Sequence, residues 1–432
     1  MTAYQLPPAL AARLAADPEL WRDFNDICDC GGRLAGTASE KKAFALLRER
    51  VRAASPANSG RSIPVPYNGW TPKSASLRLP GGTMAACHPL VRTIATGKDG
   101  LTAEVIDLGR GTPEEFAEHA GEIKGRIVLV RHELMFAAGT IHRRRKYDMA
   151  RANGAVGFMI AGPLPGHVVA GSSGRDTGPG IPALGIAPET AAKLARRPDG
   201  WPTVTLTIET DEAPAETETL VYEYPGTTDE WVVLSAHVDG HDLAESAMDN
   251  GTGLASVLAV TRALSPEVAK WRRGLRVMFF SVEEWALTGS AQYVQALSEA
   301  ERAKIAINVN LDSVAGSPTL AALSSGFAGV EPFLLQVAAA NGQSLRTVRP
   351  LMTNSDHANF AAGGIPAIRL VAGFDDPNAH LRVVLTPADT RDKVAQGELR
   401  QATLLTAALV AAACNADPAE AAKWRSHIPL PR

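Results

Sequence analysis

"FFSVEEWALTGS", residues 279–290, is the most informative stretch of this chain. An apolar run from Leu275 to Phe280 predicts a buried strand, and Glu283 and Glu284 follow it closely. Two adjacent carboxylates at the end of a buried strand repel each other and lose hydration, so they need open solvent or a compensating charge. The stretch is therefore either an exposed turn or part of a site that uses two carboxylates.

Strands of the same kind recur along the chain from residue 216 onward. They alternate with segments of helical periodicity, such as the glycine-opened "GTGLASVLAVTRAL" and the closing "RQATLLTAALVAAAC". Repeated strand–helix units predict a mostly parallel sheet covered by helices, an α/β fold. The predicted strands besides "LRVMFFSVEE" are "WVVLSAHVDG", "IAINVNLDSV" and "IPAIRLVAG".

Residues 72–212 show a different sequence pattern, in which short predicted strands are separated by Gly and Pro turns and few helices are predicted. Segments such as "AEVIDL" and "VGFMIA" predict a β-rich module. The polar, proline-containing "DEAPAETE", residues 211–218, is interpreted as the linker that ends it. Residues 1–71, helical and then extended, cannot close a domain alone. We therefore expect them to join residues 213–432, with the module at 72–212 as an insertion.

The composition excludes several classes of protein. The chain has 432 residues, 45% hydrophobic and 21% charged, with a net charge of -3, which is an ordinary globular balance. No strong field favours nucleic acid or an anionic membrane. The basic cluster "HRRRK", residues 142–146, is interpreted as a solvated helix face, with contact to a substrate anion as the alternative.

Sequence features at the N-terminus and the cysteines predict a cytoplasmic protein. The N-terminal residues have no basic segment followed by an apolar core, so no secretory signal is expected. The longest apolar run, residues 402–414, is too short to span a bilayer and predicts a buried helix. Free thiols are expected for the four cysteines, which are Cys28, Cys30, Cys87 and Cys414.

Polar side chains with catalytic or metal-binding chemistry follow the predicted strands. Since the carboxyl ends of parallel strands meet at one edge of a sheet, these side chains are expected to converge. One His or Asp at a strand end is more simply a cap or a turn residue, but five loops that deliver such groups to one edge predict a metal centre. The residues concerned are His237, Asp239, Asp249, Glu283, Glu284, Asp312 and His357.

A pair of zinc ions fits this set of ligands. Zinc binds imidazole nitrogen and carboxylate oxygen, and one Asp can bridge two metals. With Asp249 as the bridge, His237 and Asp312 complete one site, and Glu284 and His357 complete the other. Co²⁺ or Mn²⁺ can replace zinc in such N/O sites.

Glu283 is then predicted to be the general base rather than a ligand. It takes a proton from the water shared by the metals, and the resulting hydroxide attacks a carbonyl. Glu283 then passes the proton to the leaving amine. Asp239, two residues after His237, is expected to hold the second imidazole nitrogen and fix its tautomer. The chain is thus predicted to be a metal-dependent hydrolase of an amide bond.

At these residues the sequence resembles the co-catalytic di-zinc exopeptidase family of aminopeptidases and carboxypeptidase Q-like enzymes. The layout of "HVDGHDLAESAMDNG" is closest to the carboxypeptidase Q-like branch. The resemblance implies the same ligands and base, a mixed, mainly parallel sheet sandwiched by helices, a homodimer, and a strained or cis peptide bond after Asp249. The matching motifs are "GGRLAGTASEKKAFALLRERV", "AHVDGHDLAESAMDNGTG", "FFSVEEWALTGS", "NVNLDS" and "SDHANFAAGGIPAI".

The inserted module resembles a protease-associated domain, which in relatives lies over the active-site cleft or between subunits. The resemblance rests on "KGRIVLVRH", "KYDMARANGAVGFMIAG" and "GIPALGIAPETAAKL". It implies a di-zinc peptidase catalytic domain at residues 1–71 and 213–432, with a protease-associated-like domain at residues 72–212.

The substrate is a small peptide or an N-acyl amino acid in the leading interpretation, an exopeptidase. The family often has a His before "TPADT", where this chain has Leu385, so its specificity is expected to differ. Candidate substrate contacts are His241, His380 and Arg369, the last for a terminal carboxylate. Aminopeptidase and carboxypeptidase action remain open. So do a non-peptide amidase, a single-zinc aminoacyl cyclase and a catalytically silent receptor-like relative on the same fold.

Overall fold

The computed structural model describes residues 4–175, 178–195 and 200–427. Its strands are β1 Arg61–Arg78, β2 Met84–Ala85, β3 Cys87–Pro89, β4 Leu101–Asp107, β5 Ile127–Arg131, β6 Gly157–Ala161, β7 Ala183–Ile186, β8 Thr203–Tyr224, β9 Trp231–His237, β10 Gly274–Phe280, β11 Ile305–Leu311, β12 Leu320–Leu323, β13 Arg346–Val348 and β14 Ala367–Ala372. Its helices are α1 Pro8–Ala15, α2 Glu19–Cys28, α3 Ala38–Ala54, α4 Pro113–Glu118, α5 Ala120–Ile123, α6 Arg143–Ala152, α7 Pro188–Lys193, α8 Thr252–Leu264, α9 Thr288–Ala296, α10 Glu299–Lys304, α11 Glu331–Ala340, α12 His357–Ala362, α13 Gln396–Asn415 and α14 Pro418–Trp424.

The C-terminal half is built on a mixed sheet in the order β13-β12-β14-β11-β9-β10-β8. The central strands β14, β11, β9 and β10 run parallel, and β12 and β8 run antiparallel to their neighbours β14 and β10. Helix α8 is apolar almost all round and packs against α2, α3 and α13 beside the sheet. This confirms the predicted mixed, mainly parallel sheet sandwiched by helices.

The inserted part has its own sheet, in which β4, β5, β6 and β7 run parallel. Helix α6 connects β5 to β6, so this part also contains a strand–helix–strand unit. Four short helices, α4 to α7, lie between its strands, more than the turn-rich sequence indicates. The difference arises because helices of four to ten residues carry little periodicity of their own.

A long two-stranded ribbon joins the two sheets. Strands β1 and β8 pair antiparallel from Arg61 opposite Val221 to Arg78 opposite Thr205. One end of β8 pairs with β10 and the other with β4, so a continuous ladder runs through both parts of the chain.

The linker predicted at "DEAPAETE" is wrong, because residues 211–218 lie inside β8. Along this middle stretch β8 pairs only with β1 among the described strands. Each strand of a two-stranded ribbon has a free edge, where a proline without an N–H is tolerated and polar side chains meet water. The strand therefore has the composition of a linker.

An apolar cluster holds the inserted part against the catalytic part. It combines Trp70 of β1, Val91 of the inserted part, and Val282 and Trp285 from the loop after β10. The ring of Tyr67 packs edge-on against Trp285 at 5.8 Å. The tryptophan after the two glutamates therefore anchors their loop to the ribbon.

In the described ranges no single helix is long and apolar enough to cross a membrane. Helices α13 and α14 pass such a test only as a pair, bent by 118°. The apolar run at 402–414 is part of α13 and is largely buried, as expected. All four cysteines are free thiols in the structure.

Candidate metal centre

The predicted ligands lie at one edge of the sheet, each at the end of an element. His237 is the last residue of β9, and Asp312 follows β11 directly. Asp249 lies in a turn of π-helix, Ala247–Gly251, that leads into α8, and His357 is the first residue of α12. The central strands are parallel, so their carboxyl ends and the loops that follow share this edge.

The two glutamates of the opening motif are held by Asp239. The N–H groups of Glu283 and Glu284 donate to its two carboxylate oxygens, each at 3.1 Å. Val282, the residue before them, has a φ of 52°, which is rare for a β-branched side chain. Such a conformation persists only where the surroundings impose it, as the apolar cluster around Val282 does.

Asp239 contacts His237 through its backbone. The carbonyl oxygen of Asp239 lies 2.9 Å from Nδ1 of His237, and its carboxylate oxygen Oδ1 lies 3.8 Å from the same nitrogen. The backbone carbonyl thus orients the imidazole with Nε2 towards the other ligands.

Nε2 of His237 faces two further carboxylates. It lies 3.1 Å from Oδ1 of Asp249 and 3.6 Å from Oδ1 of Asp312. A carboxylate oxygen of Glu283 also lies within 4.8 Å of the ligand atoms of His237 and Asp312. Both Glu283 and Glu284 line the same cavity as Asp249 and Asp312, a space of about 40 Å³.

Residues outside the predicted set fix the loop of Asp249. The Asp249–Asn250 peptide bond is cis, as the family resemblance implies. The side chain of Asn250 donates to the carbonyl of Leu311 at 2.8 Å, which ties this loop to the end of β11. The buried carboxylate of Asp389 accepts the N–H groups of Met248 at 2.8 Å and Asp249 at 3.3 Å.

The pKa shifts describe a site crowded with buried carboxylates. Burial lowers the pKa of His237, but the nearby carboxylates, with Glu283 foremost, raise it well above its usual value. Burial, assisted by the charge of Asp249, raises the pKa of Glu284 to about 8. Burial likewise raises the pKa of Asp389 to about 7. The protein groups alone leave an excess of negative charge that favours a bound cation.

Several buried polar atoms here lack a hydrogen-bond partner among the described residues. They include Oε1 of Glu284 and both ring nitrogens of His357. Nε2 of His237 and Oδ1 of Asp249 lie close together but without hydrogen-bond geometry. Buried polar atoms are normally satisfied, so a cluster of unsatisfied nitrogen and carboxylate oxygen atoms fits metal ligation.

The candidate substrate contacts occupy three different environments. Arg369 lies in the wall of the cavity, with Nη2 at 3.1 Å from Oδ2 of Asp312 and its guanidinium over the ring of Phe136. His241 is buried, with Nε2 at 4.0 Å from Asp389, and burial lowers its pKa to about 3. His380 is exposed, and its Nδ1 lies 2.7 Å from the carbonyl of Lys393.

Sequence reasoning missed two residues that shape the site and the burial of a third. Asp389 lies in the quoted "TPADT" motif, which was considered only for the residue that precedes it. Arg33 is fully buried and donates to the carbonyls of Val238, Glu245 and Ser246, so it holds the loop between two ligands. The position of Arg33 in the family-like motif "GGRLAGT" could have indicated this role. Nothing in the local sequence indicates that Arg143, which lines the cavity, is buried.

Comparison with known proteins agrees with this geometry. Residues 219–410 match the model of peptidase family M28, and residues 88–194 match the model of the PA domain. The chain is 25% identical over 390 residues to the aminopeptidase YwaD of Bacillus subtilis, an alignment that covers 88% of this chain and 81% of that protein.

Two solved structures share the fold over nearly the whole chain. A peptidase M28 precursor from Shewanella amazonensis superposes with a TM-score of 0.78 at 21% identity, covering 98% of each chain. A structure described as a zinc aminopeptidase from Bacillus subtilis superposes with a TM-score of 0.71 at 23% identity, covering 92% of this chain and 95% of that one. The geometry of the candidate metal site thus agrees with the similarity of residues 219–410 to peptidase family M28, and the inserted part is similar to a PA domain.

Proposed function

We propose that the protein is a zinc aminopeptidase that removes N-terminal residues from small peptides and binds two zinc ions. The observation that carries the proposal is the cluster of unpartnered imidazole and carboxylate atoms around His237. The aminopeptidase assignment is supported by the similar chains, since YwaD is named an aminopeptidase and the superposed Bacillus structure is described as a zinc aminopeptidase.

The ligands divide between two metal positions. His237 and Asp312 would hold one ion, Glu284 and His357 would hold the other, and Asp249 would be shared by both. Bound zinc would supply a Lewis acid that polarises the scissile carbonyl and lowers the pKa of water. Arg369, paired with Asp312, helps to keep that carboxylate ionised: burial raises the pKa of Asp312, but Arg369 and His237 together lower it further than burial raises it.

Glu283 moves the proton. It takes a proton from the attacking water and delivers it to the nitrogen of the leaving amine. Its backbone is clamped by Asp239, while its carboxylate lies near the ligand atoms of His237 and Asp312. A base held in this way is already in position, before the substrate binds, beside the place that the reacting carbonyl will occupy.

Hydrolysis of a mixed peptide panel tests this proposal. Zinc-loaded protein is incubated with dipeptides that have free ends, with the same peptides blocked at either end, and with N-acyl amino acids, and products are identified by mass spectrometry. We expect cleavage that needs a free N-terminal amine. Cleavage that needs only a free carboxylate would instead assign a carboxypeptidase or an amino-acid amidohydrolase. If no peptide is cleaved while two zinc ions are bound, a non-peptide amidase replaces the proposal.

A further inference from the structure

The basic stretch "HRRRK" of the inserted domain reaches the metal centre. Arg143 and Arg144, at the start of α6, line the 40 Å³ cavity that also contains Asp249, Glu283 and Glu284. They also line a larger adjoining cavity of about 660 Å³ between the inserted domain and residues 351–354. The two arginines therefore lie where the metal centre opens into a cleft large enough for a short peptide.

Arg143 is buried and fixed in place, so the interpretation of this stretch as a solvated helix face is wrong. The side chain is 5% exposed, and its Nε donates to the carbonyl of Ser172 at 2.6 Å. Gly171, with a φ of 100°, leaves the space that the guanidinium fills, since a Cβ there would come within 2.3 Å of Nη2. The surroundings are thus shaped around this guanidinium.

Arg143 and Arg144 have no carboxylate within ion-pair distance in the part of the chain that the structure describes. The neighbouring Lys146, also buried, is paired with Glu133 at 2.7 Å. Nη1 of Arg143 lies 3.4 Å from the ring of His132, and Nη2 of Arg144 donates to the carbonyl of Thr353 at 3.1 Å. Buried arginines are normally paired, so this charge lacks the partner that its environment demands.

The acids that act most strongly on the pKa of Arg143 belong to the candidate metal centre. Burial lowers the pKa of Arg143 to about 10, and Glu284 acts against that shift, so the guanidinium stays charged at neutral pH. Once metal ions compensate Glu284 and Asp249, these carboxylates no longer balance the arginine. An uncompensated guanidinium at the wall of the reacting cavity is suited to an anionic group on the substrate.

We infer that Arg143, with Arg144 beside it, binds a carboxylate of the peptide substrate. The inference rests on the proposed peptidase function, because in a peptide the anionic groups are carboxylates. Two sources share this chemistry, the C-terminal carboxylate of a short peptide and the side chain of an Asp or Glu residue. The inserted domain then contributes directly to specificity.

Three pairs of substrates that differ in one carboxylate locate its source. Leu-Ala against Leu-Ala-amide tests the terminal carboxylate, Leu-Glu-amide against Leu-Gln-amide tests an acid after the scissile bond, and Glu-Ala-amide against Gln-Ala-amide tests an acid before it. At low salt we expect kcat/KM to favour the acid roughly tenfold or more in one pair, as a charge-assisted contact to arginine should. Ratios near one in all three pairs would overturn the inference.

Substitution of the arginines tests their part in this preference. Arg143→Gln should bring the favoured ratio close to one, and Arg144→Gln should lower it in part. Arg143→Lys should retain an intermediate preference and serves where the glutamine variant does not fold. Arg151→Gln removes the same charge from an exposed position on the same helix and should leave the ratio unchanged. A ratio that survives in folded Arg143 and Arg144 variants contradicts the inference.

A binding measurement separates this inference from the proposed function. Zinc-loaded Glu283→Gln protein is titrated calorimetrically with Leu-Ala, Leu-Glu-amide, Glu-Ala-amide and their uncharged counterparts, with and without Arg143→Gln. Tighter binding of one acid, lost with Arg143, supports the carboxylate site even if no peptide is hydrolysed. Equal binding within every pair, in a protein that hydrolyses peptides, retains the peptidase and removes the carboxylate site.

Discussion

Glu283 and Glu284 are neighbours with the same side chain, yet the chemistry assigns them different tasks. Both backbones are bound to Asp239, and both side chains lie in the same cavity. A carboxylate that ligates a metal loses most of its basicity, whereas one beside the metal can still accept a proton. The assignment of the base can therefore be tested by comparing metal content with turnover.

Glu283→Gln should retain both metal ions and lose most turnover. The amide keeps the shape of the side chain but cannot accept the proton, so we expect kcat to fall by about 10²- to 10⁴-fold. Metal content by mass spectrometry and turnover of the best peptide give the two readings. Glu299→Gln, on the exposed face of α10, is the matched control and should behave as wild type. Nearly full activity of Glu283→Gln would contradict its role as the base.

Asp249→Ala should weaken both metal positions together, because it removes the proposed bridge. We expect zinc content to fall from two ions towards none, without a stable one-metal form. Equilibrium dialysis against a chelator of known affinity, followed by metal analysis, measures this loss. If the variant still holds two zinc ions tightly, Asp249 does not bridge them.

Among the predicted site residues, the structure brings together those whose position follows from strand ends. His237, Asp249 and Asp312 are brought within a few ångströms of one another because parallel strands end at a common edge. Arg369 was considered for a substrate carboxylate, yet its guanidinium lies against Asp312. Which partner a long side chain meets depends on the packing of distant segments, and no local pattern records it.

At the scale of elements, the loop between β9 and α8 connects two of the proposed ligands, His237 and Asp249, and depends on one arginine. Arg33 crosses from the N-terminal segment and donates to three carbonyls of that loop, at 2.7–2.8 Å. Carbonyls in an irregular loop have no ladder to satisfy them, so the guanidinium takes the place of secondary structure. The N-terminal residues thereby contribute to the metal centre without touching it.

Arg33→Gln should destabilise the protein and weaken metal binding together. It leaves buried carbonyls without donors, which we expect to cost about 3 kcal/mol in the free energy of unfolding. Thermal unfolding and a zinc titration measure the two effects. Arg52→Gln, exposed near the end of α3, controls for loss of the charge. An unchanged unfolding temperature and zinc affinity would mean that the loop holds its shape unaided.

The elements of the C-terminal half could be predicted because their periodicity is strong. Strands β9, β10, β11 and β14 and helices α8, α9 and α13 lie where the apolar patterns place them. The short strands β12 and β13 escaped notice, because three or four residues carry too little pattern. The sequence predicts a linker in the middle of the ribbon strand β8, because the polar residues there face solvent on a free edge.

At the scale of the whole molecule, the metal centre lies among the central strands and should stabilise the fold. Buried carboxylates that crowd one another oppose folding unless a cation compensates them. A ligand that binds only the native state stabilises it by about 4 kcal/mol at a thousand times its dissociation constant. Metal content should therefore control the stability of the catalytic domain.

Removal of metal with a chelator should lower the unfolding temperature, and added zinc should restore it. We expect a shift of about 10 °C, since roughly 4 kcal/mol moves the midpoint of a domain of this size by that amount. Scanning calorimetry at several zinc concentrations measures it. The Asp249→Ala protein should show little response. A midpoint that does not depend on zinc in the wild-type protein would contradict a buried native-state metal site.

The ribbon of β1 and β8 has a consequence for how such a protein could arise. Thr71 lies opposite Asp211 in the ribbon, so the chain leaves and re-enters the catalytic part at neighbouring positions. Backbones paired in this way are about 5 Å apart and can be joined by a tight turn. The inserted domain thus occupies the place of a hairpin turn, where an ancestor with a simple loop would still close its catalytic sheet. Substrate preference is then open to change at this turn while every proposed metal ligand stays encoded elsewhere.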